Sequence, residues 1–208
     1  MQKERFMKGR RYRPMHYETL IKNYKPMTPE DQVMKGNIMA YVETLGLDVL
    51  HRRSSMAHIT ASTVILNPSL EKMLMIHHKI YDTWTWQGGH ADGEADLLHV
   101  ALKEAEEETG LKRVSVIQRK GQPLYRLDIM PVKGHWKKGS YVAPHLHLNV
   151  AFVLTAKEED ALKLNKEETS GILWVPLVEV EERAKEPEIT PIYFALIEEA
   201  KNERSASV

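Results

Sequence analysis

Between Glu94 and Glu108 the chain carries six carboxylates, on Glu94, Asp96, Glu104, Glu106, Glu107 and Glu108. Glu104, Glu107 and Glu108 are spaced i, i+3, i+4, which makes them neighbours on one face of a helix. Like charges so placed destabilise a helix by about 0.2–0.5 kcal/mol per pair unless something neutralises them. A hard divalent cation with oxygen ligands would do so. The other reading is a solvated acidic face, the commoner explanation of a charge run. Against it, Lys103 is the only Lys or Arg between Glu94 and Leu111, where a solvated face would interleave basic residues. Upstream, Gly88-Gly89 lets the backbone turn sharply and lets a carbonyl or a phosphate come close, and Asp92-Gly93 leads into the helix. Loop and helix together make an acidic cup suited to Mg²⁺ or Mn²⁺, which bind diphosphate oxygens.

Histidine is the second chemical resource, with ten in the chain. His145 and His147 alternate on a strand and so share a face, a geometry that binds a transition metal or a phosphate. The alternative is a pair of polar positions on a half-exposed strand. A zinc site needs a third ligand, which the sequence does not locate. His77 and His78 point to opposite faces, and His90 follows the glycines; one or two of these histidines are candidates to line a substrate cleft. Trp84, Trp86, Trp136 and Tyr141 are candidates to stack a nucleobase, although aromatics near turns more often serve packing.

The elements that must position these groups are legible as patterns. Thr28-Pro29-Glu30-Asp31 predicts a helix start, with Thr as N-cap, Pro at the first helical position and acids in the first turn. Val33, Ile38, Val42 and Leu45 continue it, and Gly46 supplies the stop. From Ile59 the pattern turns to β, with strands in "HITASTVIL" and "KMLMIHH". A helix over about Ala95 to Thr109 follows, closed by Gly110, with Leu98, Ala101, Leu102 and Ala105 as its core stripe. Strands return in "RVSVIQ", "LYRLDIMPV", "HLHLNVAFVLT" and "GILWVPL", with a long loop "KGHWKKGSYVAP" before the third. Thr190-Pro191 then caps a C-terminal helix with Ile192, Phe194, Ala195 and Ile197 as its apolar residues. The order predicts a mixed sheet covered by helices.

At 208 residues and 24.0 kDa the chain fits one domain with an appendage. Residues 1–50 read as an N-terminal arm and helical extension, with the basic first 18 residues a solvated arm, and residues 51–208 as the main domain. The 29 basic residues balance 29 acidic ones, so no specific nucleic acid partner is expected. The absence of cysteine excludes disulfides and thiolate metal sites and is compatible with a cytoplasmic location. No apolar run approaches the roughly 20 residues of a membrane span, and the basic N-terminus has no apolar segment behind it, so neither a membrane partner nor a secretory signal is expected.

From Gly89 onward the chain resembles the Nudix box, G-x5-E-x7-R-E-U-x-E-E-x-G-U with U apolar, the signature of the MutT-like Nudix hydrolases. Gly89, Glu104, Ala105, Glu107, Glu108, Gly110 and Leu111 fall on its positions. Lys103 stands where the pattern has Arg, keeping the charge but losing the planar fork. Ala95 stands where it has its first Glu; Glu94, one position early, is read as filling that role in a shortened loop. Segments such as HITAS, HHK, QGGHADG and HLHLNV extend the resemblance over about residues 58–177, to a bacterial branch.

The resemblance implies an α/β fold of the Nudix type, an α/β/α sandwich with a mixed sheet, here with the N-terminal helical extension added. It implies hydrolysis of a diphosphate linkage in a nucleoside diphosphate joined to another moiety. Glu104, Glu107 and Glu108 would then hold Mg²⁺ (or Mn²⁺), helped by the Gly89 carbonyl, with Lys103 beside them in the catalytic box. The general base is not fixed within the family; "NKEETSG" offers Glu167 and Glu168, of which Glu168 is taken as the candidate, a plain surface loop being the alternative. Gly88, Gly89, His90, His145 and His147 fall to the substrate side. The expected partner is a small nucleotide-type substrate, and a homodimer is compatible. A different class of function is a non-catalytic Nudix-fold ligand sensor or interaction module, which a degraded box would favour. Isomerisation of an allylic diphosphate, known from a related branch, characteristically uses a cysteine, and the chain has none.

Overall fold

The computed structural model describes residues 5–7, 10–12, 14–79, 82–137 and 139–206. Strand β3 (Ala57–Leu66) is the centre of the molecule and is buried at every position. It pairs in parallel with β11 (His145–Thr155), with Ile59 opposite Leu148 and His58 opposite His147. Parallel partners need a crossover connection, and the chain between them supplies it. β4 (Lys72–His78) pairs with the end of β3, and β12 (Thr169–Pro176) pairs with β4. β5 (Thr83–Thr85) joins β4, and β6 (Gln87–His90) joins β3. β8 (Leu124–Val132) and the short β7 (Ser115–Val116) flank β11 on its other edge.

Strand alternation divides this sheet between two cores. Ile59, Ala61, Leu148, Val150 and Phe152 face one way, against Leu97, Val100 and Ala101 of helix α3 (Leu97–Thr109). Val64, Leu66, Ala151 and Val153 face the other, against Tyr193, Leu196, Ile197 and Ala200 of α5 (Thr190–Ser205), the C-terminal helix. Helices on both faces of a mixed sheet make the expected α/β/α sandwich.

The first core also takes in α1 (Tyr17–Asn23) and α2 (Pro29–Leu45): Tyr17, Leu20, Ile21, Tyr24, Ile38, Val42, Val49 and Leu50 are buried with the sheet. Thr28 caps α2 as its sequence predicts, accepting from Asp31 N–H at 3.1 Å while the Asp31 carboxylate accepts from Thr28 N–H at 3.3 Å. Val33, however, is exposed, and Asp31 is the buried residue of that turn, 3.8 Å from Arg126 of β8. The expected loose arm ends by Tyr17, which is fully buried. Upstream of it β1 (Arg5–Met7) and β2 (Arg10–Tyr12) pair antiparallel, and the rest of that expectation lies outside the described residues.

Other departures have local causes. α3 starts at Leu97 rather than Ala95 because Asp96 takes the N-cap, accepting from His99 N–H at 3.3 Å. "RVSVIQ" yields only the two residues of β7, because the chain turns at Lys120-Gly121, both at positive φ, and Arg119 and Gln122 close the turn with reciprocal backbone bonds. The expected loop 133–144 holds a hairpin, β9 (His135–Lys137) and β10 (Ser140–Val142). Thr190 is not the cap of α5 but lies inside it, its hydroxyl donating to Glu186 O, and the buried stripe begins at Tyr193. The short helix α4 (Val180–Ala184) precedes it. Among the described residues no helix is long and apolar enough to cross a membrane.

Candidate active site

Gly88 and Gly89 are required by contact, not by torsion. A Cβ on Gly88 would lie 2.6 Å from Ser62 Oγ, and one on Gly89 would lie 2.5–2.7 Å from the carboxyl group of Glu104. β6 thus brings bare backbone against the acidic side of α3. Gly88 N–H donates to Glu108 Oε2 at 3.0 Å, which ties the buried end of the acidic row to the strand.

The three glutamates that the helical spacing places together sit in different environments. Glu108 is only 4% exposed. Burial, opposed by the Gly88 N–H and reinforced by the charges of Glu104, Glu168 and Glu107, pushes its carboxyl up to about 8. Glu104 is half-buried, and its carboxyl is also raised, first by burial, while Lys103 lowers it and Glu107, Glu168 and Asp92 raise it. Glu107 turns outward, its carboxylate 3.2 Å from Lys103 Nζ, which also lies 3.7 Å from Glu104. Lys103 therefore damps the repulsion along the exposed side of the row.

Glu168 is exposed on the loop before β12. The loop is held by Lys79 N–H donating to Glu168 O at 3.0 Å and by the buried Thr169, whose N–H donates to Asn165 O at 2.9 Å. The charge from this loop that reaches Glu104 and Glu108 is that of Glu168. Glu94 does not extend the row; it accepts from Asp96 N–H at 3.0 Å and fastens the helix start. The donor set that gathers here is all carboxyl oxygen, and burial and the charges of neighbouring carboxylates raise two of its members, Glu104 and Glu108. Such a set fits a hard divalent cation.

Sequence reasoning missed Arg52. Its Nε donates to Asp92 Oδ1 at 2.8 Å, with a second bond to Asp92 Oδ2, and the pair raises the guanidinium and lowers the Asp92 carboxyl. Glu104 and Glu168 also act on Arg52, which places it at the rim of the acidic group. Asp92 takes a positive φ, and Gly93 N–H donates to Leu50 O at 2.9 Å, so the loop after β6 is stitched to the end of the N-terminal extension. No periodic signal marks this pairing, because its partners lie 40 residues apart. A cleft of about 190 Å³ opens here, lined by His90, Asp92, Glu94, His99, Lys103 and Glu104 among others, so that His90 borders both the acidic group and the histidines.

His90, His145 and His147 leave the sheet on the face opposite α3. They gather there with His58, which the sequence did not single out. Ring centroids are 5.1 Å apart for His58–His90, 4.9 Å for His58–His145, 5.1 Å for His58–His147 and 4.9 Å for His90–His147. Burial lowers His58, and burial with the neighbouring rings pushes His147 down to about 3, so both rings are neutral near pH 7. Beyond them on this face Asn149 Oδ1 accepts from Thr60 at 3.1 Å and Ser62 at 2.8 Å. The four aromatics do not form one stacking surface. Trp86 is a core residue against Tyr193, Trp84 packs on His77, and Trp136 and Tyr141 meet each other on the exposed β9–β10 hairpin.

The sequence profile of the NUDIX domain matches residues 56–196, about two thirds of the chain. Among solved structures, the chain is similar to a C. elegans Ap4A hydrolase binary complex, at 16% identity and a TM-score of 0.50, covering 71% of this chain and 98% of that one. It is also similar to the E. coli dihydroneopterin triphosphate pyrophosphohydrolase, at 14% identity and a TM-score of 0.51, covering 69% and 95%. No curated protein matches the sequence. The profile match spans the glycine strand, the acidic helix and both cores of the sandwich, and the chain belongs to the Nudix hydrolase family.

Proposed function

We propose that the chain is a cytoplasmic, divalent-metal-dependent hydrolase that cleaves the diphosphate linkage of a nucleoside diphosphate joined to another moiety. The observation that carries this reading is the buried Glu108 beside Glu104, two carboxyl groups raised first by burial and then by neighbouring carboxylates, Glu107 and Glu168 acting on both, against the Gly88-Gly89 backbone. Glu104, Glu107 and Glu108, with the Gly89 carbonyl, would hold Mg²⁺ or Mn²⁺. When bound, the ion neutralises charge on the phosphate oxygens and lowers the pKa of an attacking water.

The remaining steps belong to the chain's own residues. Gly88 N–H fixes the Glu108 carboxylate, and Lys103 holds Glu107 and Glu104 in the row. Arg52, on the rim, faces the anionic substrate with a guanidinium held in place by Asp92. Glu168 takes a proton from water as its oxygen bonds to phosphorus and the bridging P–O bond breaks, releasing a nucleoside monophosphate and the phosphorylated second moiety. Its exposure leaves it open to solvent, within reach of a water, as a general base requires.

A panel of nucleoside diphosphate derivatives assayed with Mg²⁺, with Mn²⁺ and after chelation tests the reading. Turnover is expected only with a divalent cation, and Glu168→Gln is expected to lower kcat by about 10²–10⁴-fold. Undiminished turnover after exhaustive chelation overturns the metal assignment, and an unaltered Glu168→Gln variant removes that residue as base.

A further inference from the structure

On the sheet face turned away from α3, we infer that His58, His145 and His147 form a binding site for a first-row transition metal of the Zn²⁺ type, separate from the carboxylate group. One ring nitrogen from each of the three residues can be chosen so that all lie within 4.8 Å of one another. A tetrahedral ion with metal–nitrogen bonds of about 2.0–2.1 Å places its donors roughly 3.4 Å apart, so closure needs a shift of about 1 Å, within reach of ring rotation.

The tautomers are already set for ligation. His58 Nδ1 lies 3.0 Å from Ser54 O and His145 Nδ1 lies 2.9 Å from Ala143 O. A carbonyl only accepts, so each Nδ1 carries the hydrogen and each Nε2 keeps its lone pair, the outer arrangement that metal-bound histidines use. The ion also resolves an oddity of the core. His58 is 4% exposed, yet its Nε2 has no hydrogen-bond partner, and the same holds for the buried Nε2 of His147. Buried polar atoms are rarely left unpaired, and two in rings 5.1 Å apart call for a shared partner.

Strand register, not chance proximity, builds this group. His58 and His147 are directly opposite on the parallel pair β3–β11, and His145 is two residues along the same face. His90 borders them from β6, its ring 4.9 Å from His147. A phosphate is the competing ligand, but it needs imidazolium, which burial disfavours, whereas a metal needs the neutral ring. The donor set separates this site from the carboxylates: imidazole suits Zn²⁺, while all-oxygen sites suit Mg²⁺. Three protein nitrogens leave a fourth position open to water or another ligand, the pattern of an accessible zinc rather than a closed structural one.

The test uses the full chain, stripped with chelator and titrated with Zn²⁺ in excess Mg²⁺, with bound metal counted by mass spectrometry and with Co²⁺ as a spectroscopic probe. One equivalent of Zn²⁺ is expected, together with a tetrahedral Co²⁺ absorption and a melting temperature raised by about 5–10 °C at a hundredfold excess over Kd. His145→Gln, at a half-exposed position that tolerates replacement, and His147→Gln are each expected to weaken Zn²⁺ by a factor on the order of 10² or more. Glu108→Gln is expected to retain it. Failure to bind stoichiometrically, unaltered affinity in His145→Gln, or loss of Zn²⁺ in Glu108→Gln overturns the inference. The last result would send the metal to the carboxylates, and none of the three bears on whether the chain hydrolyses diphosphates.

Discussion

The two polar groups of this molecule adjoin at β6, where the charges of Arg52 and Asp92 reach both, and burial acts on them in opposite directions. On the α3 side it raises the proton affinity of Glu108 to about 8; on the α5 side it lowers that of His147 to about 3. The outcome is the same near pH 7, an uncharged side chain, because a low-dielectric surrounding penalises charge of either sign. What differs is what a cation must displace. At the carboxylates it competes with a proton; at the imidazoles the lone pairs are already free. β6 itself separates the two chemistries, with Gly89 turned toward Glu104 and His90 toward the rings.

The largest expected effect tests whether the two faces depend on the same support. The α3 face is covered by the N-terminal extension, which buries eight apolar or aromatic residues from Tyr17 to Leu50 in the common core. At about 1.5–3 kcal/mol for each fully buried side chain, their loss is about 12–24 kcal/mol, comparable with or larger than the roughly 5–15 kcal/mol that holds a typical domain together. A chain beginning at Arg52 is therefore expected to lose its cooperative melting transition, read by circular dichroism. Retention of the full-length melting temperature would mean that the extension is dispensable and that the α3 face needs no cover.

Next in size is the split within the acidic row. Glu104→Gln and Glu108→Gln keep the shape of each side chain and remove a charge, and each is expected to lower kcat by a factor on the order of 10² or more, equivalent to about 3–4 kcal/mol. Glu106→Gln, at a half-buried position on the side of the helix away from the row, keeps the side chain's size and is expected to alter activity less than about twofold. Steady-state kinetics with saturating Mg²⁺ decides it. Inactivation by the Glu106 change with the other two unaffected would overturn the phasing of the helix.

That phasing shows how far local sequence reaches. The acidic row, the glycines and the closing Gly110 lie within one short stretch, so spacing alone put Glu104 and Glu108 beside the core stripe. Strands β3, β8 and β11 were legible for the same reason, as unbroken apolar or alternating runs. Spacing did not distinguish the buried Glu108 from the outward Glu107, because that depends on where Gly88 and Lys103 reach. His145 and His147 could be read as sharing a face, but their third neighbour could not. His58 joins them only through the parallel register of β3 and β11, and alternation gives the faces of a strand without telling which strand lies alongside. Arg52–Asp92 was hidden for the same reason.

The smallest effect isolates burial from the chemistry of either group. Glu186, just before α5, has its carboxyl raised to about 7, first by burial and then by Glu188, with a bond from Thr85 opposing, and its Oε2 is buried without a partner. In the unfolded chain the same group ionises near its ordinary value of 4.5. Below that pH both states hold the proton and the group contributes nothing. As pH rises from 4.5 toward 7 the unfolded chain gives up its proton while the folded one retains it, so the folded state loses stability, and the full penalty is present above about pH 7. Glu186→Gln stays neutral at every pH. It should leave the melting temperature unchanged at pH 4 and raise it at pH 8 by about 3–6 °C, which corresponds to roughly 1–2 kcal/mol after allowing for partial exposure. Equal melting temperatures at both pH values would show that the side chain escapes to solvent. The opposed behaviour of Glu108 and His147 would then have to rest on their neighbours rather than on burial.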